Sequence, residues 1–196
     1  MEQETKIKVL MAAAELISSH GYHNVSVREI CETAGVTKPV LYYYFKDKED
    51  VLSELLNEGH KRFKELFDKH IKPDYSFEES LDGLLTVYKS YAESYPHLIK
   101  VNTYVQLSPL PQKIKSISKK KSKEVLEKIN SVFSKGIIEK YFDKNVEQEM
   151  LVYSFIAPIG VLIAQNIIIK NSTKPLKDNL KKYFKFWKSQ FIKKGK

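Results

Sequence analysis

Cysteine, glycine and proline are scarce in this sequence. The 196 residues include one cysteine, seven glycines and seven prolines. Cys31 alone makes no intramolecular disulfide and no cysteine-only zinc site. Low Gly plus Pro excludes collagen-like and linker-rich chains, while 42% hydrophobic and 12% aromatic residues exclude wholesale disorder. The five histidines, His20, His23, His60, His70 and His97, stand at no metal-motif spacing, so neither metal nor cofactor is expected. Isolated glycines leave no phosphate-cradling loop, and no serine lies in a Gly-x-Ser-x-Gly elbow. Glu78-Glu79 and Glu147 with Glu149 read as charges at helix starts rather than paired acids in a cleft. Together these absences argue against an enzyme. No basic-then-apolar segment opens the chain, so a reducing cytoplasm is the expected location.

Charge is plentiful but uneven. The net charge is +9, yet residues 1–50 carry 6 basic and 8 acidic residues, residues 51–110 carry 7 and 9, and residues 111–196 carry 20 and 7. The isoelectric point therefore reports on the C-terminal part, and a nucleic-acid site has to be found from local geometry.

The periodicity is helical throughout, which predicts an all-α chain of about nine helices. Ile7, Leu10, Met11, Ala14 and Ile17, widened by Ala13 and Leu16, predict a first helix over about 4–19 with those residues inside. His20-Gly21 ends it. Ser26 and Glu29 have the reciprocal capping-box spacing, and Val27, Ile30, Cys31 and Ala34 form a short apolar face closed by Gly35. Thr37 caps a third helix that tolerates Pro39 in its first turn, and Asp47 caps a fourth. Further helices are predicted over 76–95, 97–107, 113–142, 146–170 and 174–193, separated mainly by prolines.

Residues 26–45 thus read short helix, glycine turn, short helix, with a longer helix behind: a helix-turn-helix layout. Leu41 and Phe45 share one face of the second short helix. Tyr42, Tyr43 and Tyr44 are spread by roughly 100° each and cannot all follow them inward, and Tyr43 lies opposite that face. With Lys38 at the N-terminal end, this surface suits a polyanion: phenol hydroxyls donate to phosphate and first-turn side chains reach base edges. The competing reading is an aromatic-rich core helix.

Ala13-Ala14, Gly21, Ser26-Val27-Arg28-Glu29-Ile30, Ala34-Gly35-Val36-Thr37-Lys38, Leu41-Tyr42-Tyr43-Tyr44-Phe45 and Lys48-Glu49 resemble the N-terminal signature of the TetR family of bacterial transcriptional regulators. The sequence departs from it at Tyr44, where histidine is frequent, and at Cys31, where alanine is. The resemblance implies a DNA-binding domain over 1–47 and an effector-binding and dimerisation domain over 48–196. It also implies a homodimer that binds double-stranded operator DNA, most often as a repressor, and is released by a small molecule. It places Thr37, Lys38 and Pro39 near base edges, Arg28 near the operator, and Tyr42, Tyr44 and Lys48 at phosphates. A structural DNA-associated protein with no effector is the alternative.

In the C-terminal part, segment 146–170 is apolar on nearly every side and approaches the length of a membrane span. Ser154, Pro158, Gln165 and Asn166 interrupt it, and cover by its own domain and a second copy fits better. Leu180, Tyr183, Phe184, Trp187, Phe191 and Ile192 give the last helix a second sticky face, so 146–170 and 174–193 are the expected dimer interface. Tyr88, Tyr91, Tyr95, Tyr104, Phe133 and Phe155 are candidates to line an effector cavity or, equally, to fill the core. Lys119–Lys123 reads as a solvated helix face, and Cys31 as a buried packing residue of low reactivity.

Overall fold

The computed structural model describes residues 2–143 and 145–193. Among them are nine helices and no strand: α1 (Glu2–His20), α2 (Val27–Ala34), α3 (Lys38–Tyr44), α4 (Lys48–His70), α5 (Phe77–Ser94), α6 (Pro96–Leu107), α7 (Gln112–Ile138), α8 (Gln148–Ile167) and α9 (Leu176–Phe191). The all-α order is the expected one. The largest end difference is at α7, which stops at Ile138 rather than 142. There Lys140 takes a left-handed φ of 62°, and the amides of Lys140 and Tyr141 bond back to Ile137 and Gly136. This closes the helix and turns Phe142 back into the core.

Packing divides the chain into two compact units, Met1–Lys61 with Tyr95–Ser122, and Arg62–Ser94 with Lys123–Lys196. More chain is thus grouped with the helix-turn-helix than a division at residue 47 assigns to it. In the first unit α1 packs on α2, α3 and α6. Its buried residues are Val9, Leu10, Ala12, Ala13, Ala14 and Ile17, whereas Ile7 and Met11, expected inside, are each 47% exposed. The alanines explain the rotation: their small side chains let neighbouring helices approach on that side.

In the second unit α5, α8 and α9 pack together around an aromatic core. Phe133 lies 5.6 Å from Phe155, 5.8 Å from Trp187 and 6.1 Å from Phe77 between ring centroids, in the edge-on geometry aromatic quadrupoles favour. α8 is long and apolar enough to cross a membrane, but Leu151, Val152, Phe155, Ile159 and Ile163 are buried within the chain. The sticky face expected of α9 is used largely at home. Leu180 and Trp187 are buried, Trp187 Nε1 donates to Ser154 Oγ at 3.0 Å, and the Tyr183 hydroxyl donates to the Ser154 carbonyl. What remains outside is Met150, Tyr153, Val161, Phe186 and Phe191.

Candidate nucleic-acid interface

α2 begins as its sequence dictates. Ser26 is extended, its hydroxyl accepts from the Glu29 amide, and the Glu29 side chain accepts from the Ser26 amide at 2.7 Å. The Ser26 hydroxyl, donating to Glu29 Oε2 at 2.7 Å, and the Ser26 amide together hold the Glu29 carboxyl below its usual pKa. Gly35 closes the helix at φ 66°, with Val36 N–H bonded to the Cys31 carbonyl at 3.0 Å. A side chain is strained at that φ, which is why glycine stands there. Cys31 is 4% exposed, and burial pushes its thiol pKa up.

α3 then runs Lys38–Tyr44. Thr37 is its N-cap residue but makes no side-chain cap bond, and Pro39 occupies the first turn. Leu41 and Phe45 are buried at 0% and 2% exposure, while Tyr42 and Tyr43 are 52% and 71% exposed and Tyr44 is half-buried. The aromatic-core reading of α3 is therefore set aside. Thr37, Lys38 and Pro39 are exposed beside the two outward tyrosines, and Tyr43 and Tyr44 brace one another edge-on at 5.0 Å. Arg28, on the exposed face of α2, donates to Glu32 at 2.7 Å. α4 starts where Asp47 Oδ1 accepts from the Asp50 amide at 2.8 Å.

Lys48 is placed differently from its neighbours. It is half-buried, and its Nζ donates to the carbonyls of Tyr22 and Val25, each at 2.6 Å. The ammonium also stands 4.3 Å from the centre of the Tyr22 ring, and burial lowers its pKa. Sequence reasoning passed over Tyr22. The available signal was Gly21, which takes φ 82° and makes the chain turn sharply just before it.

The six aromatic cavity candidates are divided between the two units. Phe133 and Phe155 are fully buried in the second unit's core. Tyr88 and Tyr91 do come together there, both edge-on to Phe63 at 5.7 and 5.8 Å, and burial raises the Tyr88 pKa. Tyr95, the N-cap residue of α6, and Tyr104 belong to the first unit. The Tyr104 hydroxyl accepts from the Tyr22 amide at 2.8 Å.

Residues 9–55, which hold this site, match the family model for bacterial regulatory proteins of the tetR family. This N-terminal stretch is similar to the TetR family. It is 32% identical over 117 residues to the fatty acid metabolism regulator protein of Bacillus subtilis (strain 168), a match covering 58% of this chain. The chain spans 60% of that relative's length. The fatty acid degradation regulator FadR from Bacillus halodurans superposes with a TM-score of 0.79 at 22% identity, covering 93% of this chain and 94% of that one. FadR from Bacillus subtilis, solved in complex with stearoyl-CoA, gives 0.78 at 21% identity, covering 92% and 96%. The TetR fold therefore extends along nearly the whole chain, beyond the stretch in which the family sequence is legible. Each of these similar proteins is a regulator.

Proposed function

We propose that this chain is a homodimeric DNA-binding transcriptional repressor, released from a palindromic operator by a small-molecule effector. The observation that carries the proposal is α3, which buries Leu41 and Phe45 and turns Lys38, Pro39, Tyr42 and Tyr43 outward. In this reading Thr37, Lys38 and Pro39 face base edges, while Arg28, Tyr42, Tyr43 and Tyr44 set register on phosphates. The DNA-binding domain is residues 1–47, and residues 48–196 receive the effector and dimerise.

Two copies are needed to place two recognition helices in successive major grooves, roughly 34–36 Å apart. The partner surface is the outer face of α8 and α9. Met150, Tyr153, Val161 and Phe186 are exposed there, and a side chain built on Gly160 would meet nothing within 4 Å. Exposed apolar side chains next to small residues favour close helix approach by a second copy.

For the effector we favour an acyl thioester. The support is the likeness to a FadR solved with stearoyl-CoA and to a fatty acid metabolism regulator. A tenfold loss of operator affinity needs only about 1.4 kcal/mol of coupling.

The test is selection of genomic fragments by the purified protein, repeated with stearoyl-CoA and with cell extract as competitors. One recurring palindrome released by either competitor supports the proposal. Many unrelated sites that neither competitor releases would point to the alternative, an effector-independent DNA-associated protein.

A further inference from the structure

The turn between α1 and α2 sets where the helix-turn-helix leaves its supporting helix, and its backbone is gripped from two sides. From one side, the Tyr104 hydroxyl of α6 accepts from the Tyr22 amide at 2.8 Å. A side chain on Gly21 would meet that same hydroxyl at 3.2 Å, so α6 sits directly against the turn. From the other side, Lys48 of α4 donates to both the Tyr22 and Val25 carbonyls. Nearby, His23 Nε2 lies 3.1 Å from the Pro109 carbonyl, and Lys113 pairs with Glu49 at 3.3 Å. All of these residues belong to the first compact unit.

The geometry at Lys48 bears on its role. An ammonium has three N–H donors. Two of them are committed to carbonyls, and the Tyr22 ring covers the group at 4.3 Å. Only the third N–H is left for a phosphate, and turning the ammonium fully toward one would take its donors from two carbonyls of a buried turn, since Tyr22 and Val25 are 7% and 2% exposed.

We propose that Lys48 and Tyr104 are positioning residues for operator binding, holding the Tyr22–Val25 turn from its carbonyl and amide sides, and that Lys48 serves the complex through that turn rather than through a phosphate. The proposal rests on the reading that α3 enters the major groove. It assigns Tyr104 to the placement of the helix-turn-helix instead of to an effector cavity.

The experiment measures operator affinity as a function of salt for the full-length protein and for Lys48→Met and Tyr104→Phe, with amide exchange at Tyr22 in the free protein. A lysine that neutralises a phosphate contributes about one unit, per subunit, to the slope of log affinity against log salt. The expected result for Lys48→Met is a tenfold or greater loss at every salt concentration, with the slope of the wild type. Tyr104→Phe, which removes one oxygen atom and keeps the ring, is expected to lose several-fold in affinity and to exchange the Tyr22 amide faster. The proposal is overturned if Lys48→Met lowers the slope by about one unit per subunit. It is equally overturned if Tyr104→Phe leaves both affinity and Tyr22 exchange unchanged, a comparison that stands even if Lys48→Met fails to fold. Failure of the wild type to select any DNA would instead strike the DNA-binding reading itself, and would be seen before either variant is made.

Discussion

Gly136 on α7 and Phe77 at the start of α5 stand so close that a Cβ on the glycine would lie 2.7 Å from the Phe77 ring and 2.7 Å from Phe142. Both rings are nearly fully buried and have no room to retreat. Alanine has the better helix propensity by up to about 1 kcal/mol, but overpacking a tight core costs about 1–3 kcal/mol. Gly136→Ala is therefore expected to destabilise the protein. A lower denaturant midpoint with an unchanged m-value checks this.

The capping box at α2 carries a pH dependence. The folded-state pKa of Glu29 lies below its ordinary value because Ser26 donates to it from side chain and backbone. Its contribution is thus complete above the ordinary glutamate range, around 4.3, and is lost as pH falls through the lower folded value. Stability measured against pH should lose this acid-side component in Glu29→Ala. Ser26→Ala is expected to cost about 1 kcal/mol at neutral pH.

Cys31 should be chemically silent in the native protein. It is 4% exposed and its thiol is pushed up by burial, so the reactive thiolate is scarce and shielded. A thiol reagent should label it only at the rate of unfolding. Rapid stoichiometric labelling under native conditions would contradict this.

Lys38→Ala separates base readout from general attraction. At a base edge, its loss should cost about 1–3 kcal/mol and relax preference at one operator position. Tyr42→Phe should instead weaken binding to all operator sequences alike, by a smaller factor. Binding curves on a set of single-base operator variants distinguish the two, and identical effects across that set for Lys38→Ala would remove it from the base-contact assignment.

A charge on the outer face of α8 should break the proposed dimer. Val161 is 58% exposed in the single chain, so Val161→Glu has no core to disturb. Sedimentation should show monomer with helix content retained, and operator affinity should fall because two half-sites no longer bind as one unit. A persistent dimer would move the interface elsewhere.

Much of the helix-turn-helix was legible in residue order because its determinants are local. The capping box of Ser26 and Glu29, the left-handed Gly35 and the Leu41–Phe45 stripe each depend on residues two to five apart, and backbone geometry converts such spacings directly into caps and faces. α1 shows the limit of that reasoning. Ile7 and Met11 fit the helical period yet lie outside, because the alanine face offers neighbouring helices the closer approach.

The amino-acid sequence by itself determined the helical order, the Ser26 and Asp47 caps of α2 and α4, and which side of α3 turns inward, since these follow from short-range periodicity and backbone donors. Tertiary structure alone decided that Lys48 points into the α1–α2 turn, that Tyr104, 82 residues beyond Tyr22, closes it, and that α9 spends Leu180 and Trp187 on its own domain. Where an ammonium, a hydroxyl or an indole finds its partner depends on which distant atoms packing brings within hydrogen-bonding or van der Waals range, and no local pattern encodes that distance.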